Sequence, residues 1–237
     1  MLVIPSLALR DGLCVRAPAD PLVGVASVGD DPLQAARQWA AMGFSRLHVV
    51  DLDAAAGRGD NHAVISELLR HATVPVQVAG GVRDTERLDT LLDDGADLVF
   101  VGTRGVEDTA WLEEQASRLP GRIVLALELR ARRVLTRAWT RDSRRDVFNL
   151  LAQCDTFPLA GLMITVSQHD ARFSDTELAL VEELVSLVPW PVLVAGGAES
   201  LQDLRNLGTR GIAAVILGAA LTAETIDPRL VAEEFVG

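Results

Sequence analysis

A repeated glycine pattern constrains the fold of this chain more than any other feature. Val74–Gly81 reads Val-Pro-Val-Gln-Val-Ala-Gly-Gly, and Trp190–Gly197 reads Trp-Pro-Val-Leu-Val-Ala-Gly-Gly. The two double glycines are 116 residues apart, and the same offset separates Gly102 from Gly218. Two independent landmarks with one offset indicate that the chain consists of two related halves.

Apolar segments rich in Val, Ile and Leu alternate with helical patterns along the whole chain. The apolar segments are continuous, as is typical of parallel strands that are covered on both faces. The predicted strands are Leu2–Leu7, Arg46–Asp51, Val74–Ala79, Leu98–Gly102, Ile123–Glu128, Gly161–Val166, Pro191–Ala195 and Ala214–Gly218. The clearest helical patterns are Asp31–Met42, Asp84–Asp94, Ser174–Val188 and Ser200–Leu207, and Asp84 and Ser200 are predicted to be N-caps.

Eight such alternations without a linker predict either one closed barrel or one open doubly wound sheet. The internal repeat favours the barrel, because a half of four units that occurs twice closes naturally at eight. The 237 residues suit one barrel of ordinary size. We therefore predict a single (β/α)8 barrel of two duplicated half-barrels over residues 1–237.

Glycines are predicted at the mouth of this barrel, where the strands end and ligands bind. Glycine lets the backbone approach a ligand and direct N–H groups at it, and a following helix N-terminus favours a phosphate. Because the pattern occurs on opposite sides of the mouth, it predicts a ligand with two phosphates; simple turn glycines are the alternative. The predicted phosphate-binding residues are Gly80, Gly81, Gly102, Thr103, Gly196, Gly197, Gly218 and Ala219. Arg83 is a further candidate for an anion contact, although an Arg in this position is more often solvated.

The composition excludes several functions. The net charge is −11, which argues against a nucleic-acid partner, and all 22 basic residues are Arg, which excludes Schiff-base chemistry. Cys14, Cys154 and the four His lack the spacing of a metal site, so we expect neither metal nor cofactor. The apolar N-terminus resembles a strand rather than a signal peptide, and no segment has the length of a membrane span. We expect a cytoplasmic protein with no membrane partner.

Several motifs, in order over essentially the whole chain, carry a specific resemblance. They are Ile4-Pro5 with Arg10-Asp11-Gly12 and Val15-Arg16, Gly29–Pro32, Leu47–Asp53, Gly59-Asp60-Asn61, Val76–Arg83, Val101-Gly102-Thr103, Arg137–Thr140 and Leu217-Gly218. With them the chain resembles the phosphoribosylformimino-imidazole-carboxamide ribotide isomerases of histidine biosynthesis, including the bifunctional phosphoribosyl isomerase that also serves tryptophan synthesis. The resemblance implies an Amadori rearrangement of an aminoaldose ribosyl phosphate to an aminoketose, without cofactor, by a monomer.

The family's reaction needs an acid that opens the sugar ring and a base that takes the C2 proton. By resemblance, family Asp residues would occupy the positions of Ala8, Glu128 and Val166, so only Glu128 keeps a carboxylate. Asp51 is a second, weaker catalytic candidate, and orienting a neighbouring loop is its alternative role. Further candidates to replace the lost groups are Asp11, His169 and Asp170.

Three other residues match family positions that contact substrate. Arg16, Arg137 and Trp139 lie in the predicted mobile loops, and Trp139 could stack on an imidazole or aryl ring, with packing as its alternative role. Three hypotheses stay open at this point. The chain is a divergent isomerase in which Glu128 and a recruited residue transfer the protons, a catalytically inactive paralogue that binds a phosphoribosyl ligand, or a paralogue with another phosphosugar reaction.

Overall fold

The computed structural model of the chain describes residues 1–16, 26–166 and 172–235. The strands of these ranges are β1 (Leu2–Arg10), β2 (Leu13–Arg16), β3 (Ala26–Asp30), β4 (Leu47–Asp51), β5 (Val76–Ala79), β6 (Leu98–Val101), β7 (Ile123–Arg130), β8 (Arg133–Thr136), β9 (Arg141–Asp146), β10 (Gly161–Val166), β11 (Val192–Ala195) and β12 (Ala214–Leu217). The helices are α1 (Pro32–Ala41), α2 (Leu52–Ala56), α3 (His62–His71), α4 (Thr85–Asp93), α5 (Thr103–Glu107), α6 (Thr109–Arg118), α7 (Val147–Cys154), α8 (Asp175–Leu187), α9 (Leu201–Thr209), α10 (Ala219–Thr222) and α11 (Pro228–Phe235). Among the described residues, no helix is long and apolar enough to cross a membrane.

Eight parallel strands close into a barrel. The order is β1, β4, β5, β6, β7, β10, β11 and β12, and β12 pairs with β1 to complete the circle. Leu2 is opposite Ala214 at this junction, and the two halves also meet between β6 and β7, where Val99 is opposite Ile123. The closed ring excludes the open doubly wound sheet, and the prediction of a (β/α)8 barrel is confirmed.

The core has two layers, one on each face of the sheet. Aliphatic side chains and the ring of Phe100 fill the interior of the barrel, and a larger apolar layer lies between the strands and the helices. The interior members are Ile4, Ala79, Phe100, Val124, Leu193, Ala214 and Ile216. Because both faces of every barrel strand are buried, the strands appear in the sequence as continuous apolar runs.

The predicted helix starts are confirmed by their caps. The carboxylate of Asp84 accepts the N–H of Arg87 at 2.8 Å, and the hydroxyl of Ser200 accepts the N–H of Asp203 at 3.1 Å. Ser174 and Glu177 form a reciprocal capping box at the start of α8. These side chains satisfy N–H groups that the first turn of a helix leaves without partners.

The first and fifth barrel strands are longer than the sequence predicted. β1 extends to Arg10 and continues through β2 into β3, and β7 extends to Arg130 and continues through β8 into β9. Both antiparallel extensions follow the first strand of their half, so the duplication includes them. The sequence did not reveal β9, because its six residues (Arg-Asp-Ser-Arg-Arg-Asp) lack the apolar alternation of a strand.

Candidate active site

The carboxyl ends of the eight parallel strands form one rim, the mouth of the barrel. Ala8 of β1 and Glu128 of β7 belong to the rows of residues that face the barrel interior, since Ile4 and Val124 on the same strands contribute to the interior cluster. Gly80, Gly102, Gly196 and Gly218 directly follow β5, β6, β11 and β12. The structure therefore places the predicted glycines at the same end of the barrel as Glu128.

The glycines adopt matching conformations in the two halves. Gly80 and Gly81 have φ values of 102° and 71°, and Gly196 and Gly197 have values of 77° and 83°. These left-handed values favour glycine. We call each pair, together with the single glycine of its half, a glycine rim.

The single glycines also match each other and precede short helices. Gly102 has φ −101° and ψ −107° before α5, and Gly218 has φ −109° and ψ −86° before α10. Thr103 and Ala219 are the first residues of these helices. A glycine turn followed by a short helix is the arrangement that binds phosphate in many barrels of this type.

Close packing is a second reason why these turns need glycine. The atoms that pack against the glycines differ between the two rims. A Cβ on Gly80 would lie 2.3 Å from the carbonyl oxygen of Asp51, and one on Gly81 would lie 2.3 Å from the Cβ of Ala54. In the second half the ring of Phe173 covers Gly197, where a Cβ would approach it within 1.9 Å. A Cβ on Gly196 would have no neighbour within 4 Å among the described atoms. In the second rim, the described atoms therefore leave open space beside Gly196 but not beside Gly197.

Charged side chains flank both rims. The guanidinium of Arg83 donates to the carbonyl of Ala55 at 3.2 Å, at the C-terminal end of α2. At the second rim, the guanidinium of Arg172 forms ion pairs with Glu199 at 3.4 Å and with Asp203 at 3.1 Å. The structure thus gives Arg83 a contact within the protein, and its role toward a phosphate stays a prediction.

Glu128 is the carboxyl group at the mouth with the most perturbed environment. Its side chain is mostly buried near the C-terminal end of β7, on the face toward the barrel interior. Its Oε2 accepts the backbone N–H of Trp139 at 2.8 Å. Burial raises the pKa of Glu128 to about 7, although the hydrogen bond from Trp139 acts in the opposite direction. At neutral pH both the acid and the carboxylate of this residue are populated, which suits a group that gives and takes protons.

The loop between β8 and β9 brings Arg137 and Trp139 to the mouth. Arg137, Ala138 and Trp139 have successive φ values of 58°, 52° and 63°, a left-handed turn without glycine. The N–H of Arg137 donates to the hydroxyl of Thr103 at 2.8 Å, and the N–H of Trp139 donates to Glu128. These two bonds connect the turn to Thr103, which follows Gly102 of the first rim, and to the candidate catalytic group Glu128. Residues other than Gly, Asn and Asp seldom adopt this conformation, so the surrounding contacts must maintain it.

The side chains of Arg137 and Trp139 have different surroundings. The guanidinium of Arg137 lies 3.3 Å from the carboxylate of Glu107. The indole N–H of Trp139 is buried and finds no acceptor in the part of the chain that the structure describes. A buried indole N–H without an acceptor, on a residue whose backbone binds Glu128, is compatible with the predicted contact to a ligand, and that contact stays a prediction.

The resemblance implies Asp at the positions of Ala8 and Val166, and the structure describes the side chain of Ala8 but not that of Val166. Ala8 is buried on β1, opposite Val50 of β4 and Val15 of β2, and the replacement of a family Asp by its methyl group stays a prediction. Val166 ends β10 next to Leu129 of β7, and its side chain lies outside the described residues. His169 and Asp170 lie outside them as well, and for Arg16 only the backbone, at the end of β2, is described.

Asp51 is fully buried at the end of β4, and its carboxylate accepts four hydrogen bonds. The donors are the N–H of Ala54, the N–H and the side-chain amide of Asn61, and the guanidinium of Arg87. All of these bonds lie between 2.7 and 3.3 Å. These contacts match the loop-orienting role that the sequence left open. A catalytic role for Asp51 stays an untested prediction.

The sequence reasoning missed one polar pair inside the barrel. His48 of β4 and Gln77 of β5 are both buried, and their side chains hydrogen bond at 3.0 Å. The imidazole also meets the ring of Phe100 edge to face, with the ring centres 4.7 Å apart. Burial lowers the pKa of His48 to about 3, so its imidazole is neutral at physiological pH. The sequence signal for this pair is a polar residue at a strand position whose side chain faces the barrel interior.

Comparison with known proteins identifies the family. The family model described as histidine biosynthesis protein matches residues 2–227. The chain belongs to this family. Members of the histidine biosynthesis protein family from Gemmatimonas aurantiaca and Myxococcus xanthus are 47% and 39% identical to the chain. These alignments cover 99% of both chains in the first case and 100% of both in the second.

A further relative from Thioalkalivibrio sulfidiphilus is 34% identical, with 96% of each chain aligned. All three relatives carry the name 1-(5-phosphoribosyl)-5-((5-phosphoribosylamino)methylideneamino)imidazole-4-carboxamide isomerase. The resemblance to the family that the motifs indicated is confirmed.

Proposed function

We propose that the protein is an aminoaldose–aminoketose isomerase that acts on a phosphoribosyl imidazole-carboxamide with two phosphates, and that Glu128 transfers the protons. The observation that carries this proposal is the carboxyl group of Glu128 at the mouth, with a pKa raised to about 7 by burial. The names and full-length alignment of the relatives support the class of substrate.

A single carboxyl group can perform all proton transfers of the reaction, one after another. Protonated Glu128 gives its proton to the ring oxygen, the bond between C1 and that oxygen breaks, and the nitrogen lone pair forms a C1=N bond. The resulting carboxylate takes the C2 proton, whose bonding electrons form C1=C2 while the C1=N electrons return to nitrogen. Glu128 then protonates C1 and receives the proton of the C2 hydroxyl as the ketone forms. The residue ends as it began, so the cycle needs no second acid or base.

The two glycine rims are proposed to hold the two phosphates. Their matching backbone conformations and following helices offer N–H groups on opposite sides of the mouth. A ligand anchored at both ends has its reacting sugar between the anchors, near the strand ends that include Glu128. Such anchoring supplies the orientation on which an isomerase with few catalytic groups depends.

A second candidate is a paralogue that binds the same ligand without converting it. The observation that favours it is Ala8, whose methyl group cannot transfer protons at a position where the resemblance implies Asp. General acid–base catalysis contributes roughly 10²–10⁴-fold per group, so each lost carboxylate lowers the rate but does not abolish every route.

Turnover of the imidazole-carboxamide substrate by four proteins tests the proposal. These are the parent, Glu128→Gln, Ala8→Asp, and Glu114→Gln as a control on the exposed face of α6. We expect measurable turnover by the parent and the control, and a loss of about 10²–10⁴-fold in Glu128→Gln. Calorimetric titration of the same proteins measures affinity separately.

The outcomes distinguish the two candidates. Unchanged turnover in Glu128→Gln removes Glu128 from the mechanism. Tight binding by the parent without turnover, followed by turnover in Ala8→Asp, establishes the ligand-binding paralogue. No binding by the parent contradicts both candidates.

A further inference from the structure

A buried polar cluster lies beside the mouth and is not part of the proposed reaction. Its members are Asp51, Asp53 and Asn61, which are 0%, 7% and 5% exposed. Asp51 ends β4, Asp53 belongs to α2, and Asn61 precedes α3. Two buried carboxylates this close together need a shared donor, because like charges repel strongly away from water.

Asn61 provides that donor. Its side-chain Nδ2 donates to Oδ1 of Asp51 at 2.7 Å and to Oδ2 of Asp53 at 3.0 Å. Its backbone N–H also donates to Asp51, at 2.9 Å. An amide can give one hydrogen to each of the two acids, whereas a carboxylate in this position would repel both.

The same cluster holds the turn between β1 and β2. Oδ1 of Asn61 accepts the N–H of Gly12, and Oδ2 of Asp53 accepts the N–H of Asp11, both at 2.7 Å. Asp11 and Gly12 have positive φ values of 49° and 78°. The turn of the β1–β2 hairpin is therefore fixed by two side chains from the segment between β4 and α3.

On its other side the cluster reaches the first glycine rim. Asp51 accepts a hydrogen bond from the guanidinium of Arg87 in α4, the helix that follows Gly80 and Gly81. The backbone of Asp51 also packs so closely on Gly80 that no Cβ would fit between them. The hairpin, the cluster and the rim thus form one continuous set of contacts.

We propose that Asn61 is a positioning residue that fixes the β1–β2 hairpin relative to the first glycine rim, so that both meet the ligand in one arrangement. This inference rests on the proposed function, because the hairpin bears Arg16 and the rim is a proposed phosphate site. The side chain of Asn61 acts through Gly12, Asp51 and Asp53 and does not itself touch the ligand.

The first test needs no ligand. Amide hydrogen exchange is measured in the parent, in Asn61→Ala and in Asn206→Ala, a control on the outer helix α9. We expect the N–H groups of Asp11 and Gly12 to exchange at least about tenfold faster in Asn61→Ala, because both lose their fixed environment. Unchanged protection of these two amides in a folded Asn61→Ala protein overturns the inference.

The second test measures dissociation constants for the imidazole-carboxamide substrate and for inorganic phosphate. In Asn61→Ala we expect the substrate to bind about tenfold more weakly, because substrate binding must then order the β1–β2 hairpin relative to the first rim. Phosphate alone should bind with less than about twofold change, since it occupies one rim without needing the hairpin. Equal weakening of both ligands points to general damage and contradicts a positioning role.

Asn61→Asp gives a response to pH that a general loss of stability does not produce. The new carboxyl group faces Asp51 and Asp53, with Arg87 as the nearby cation, and it regains a donor only when it is protonated. We expect the ratio of variant to parent dissociation constants for the substrate to fall several-fold from pH 8 to pH 5.5. The ratio for Asn61→Ala should stay constant, and a constant ratio in both variants rejects the role assigned to the Nδ2 donor.

Failure of this inference is distinguishable from failure of the proposed function. If the parent binds no imidazole-carboxamide substrate, the proposed function fails, and hydrogen exchange alone decides the role of Asn61. If the parent binds and converts the substrate while Asn61→Ala leaves exchange and affinity unchanged, only the inference fails. If Asn61→Ala does not fold, Asn61→Asp at low pH supplies the comparison.

Discussion

Replacing Glu128 with Gln tests the protonation of this residue through the stability of the protein, without any substrate. Glutamine keeps an oxygen that accepts the N–H of Trp139 and removes only the ionisable proton. The pKa of Glu128 rises from 4.5 to about 7 on folding, because burial penalises its charged form. At a pH between these two pKa values, the folded protein retains a proton that the unfolded chain has released.

The sign of the effect follows from this difference. The contribution of Glu128 to stability is fully present below about pH 4.5 and is lost as the pH rises through about 7. With about 1.4 kcal/mol per pKa unit, the loss from pH 5 to pH 8 amounts to about 2.5 kcal/mol. The residue lies mostly in the protein interior, so solvent screening removes only part of this value.

Urea unfolding at pH 5 and pH 8 measures the effect, and Glu114→Gln on the exposed face of α6 is the control. We expect the parent and the control to lose about 2 kcal/mol more than Glu128→Gln does over this interval. The comparison cancels the titration of all other groups. Identical losses in all three proteins would refute the raised pKa and, with it, the argument that Glu128 starts the reaction as an acid.

Three other predictions follow from the site. The kcat/KM of the parent should fall above pH about 7 as Glu128 loses its proton, and a profile flat to pH 9 contradicts the acid step. Gly80→Ala should cost at least about 2 kcal/mol more in urea unfolding than Gly95→Ala, because both glycines have φ above 100° but only Gly80 abuts Asp51. Asp51→Ala should cost about 3–5 kcal/mol by leaving Arg87 without its buried partner, and a cost below about 1 kcal/mol would show that the network is dispensable.

The parts of the fold that sequence reasoning recovered are those governed by local chemistry and periodicity. The caps Asp84 and Ser200 were found because a short polar side chain before an apolar helix satisfies free N–H groups. The glycine repeat was found because turns with positive φ need glycine wherever they recur. The polar strand β9 was missed because its pairing with β8, and not its own sequence pattern, makes it a strand.

In the candidate site, too, some residues could be named from the sequence, whereas their contacts could not. The family resemblance pointed to Glu128, at the end of a predicted strand, and to Arg137 and Trp139. That the N–H of Trp139 would bind the carboxylate of Glu128 was not readable, since it depends on the left-handed turn between β8 and β9. The roles of the glycines toward phosphate, and of Arg83 and Arg16 toward a ligand, stay predictions.

The sequence by itself determined the architecture: a duplicated unit with strands apolar on both faces closes into a barrel and brings its glycines to one end. Only the tertiary structure decided what the buried polar groups do. Asp51, Asp53 and Asn61 are close in sequence, but their hydrogen bonds reach Gly12 on one side and Arg87 on the other. Such partners are set by how the strands and loops pack together, because a hydrogen bond depends on distances that residue order does not specify.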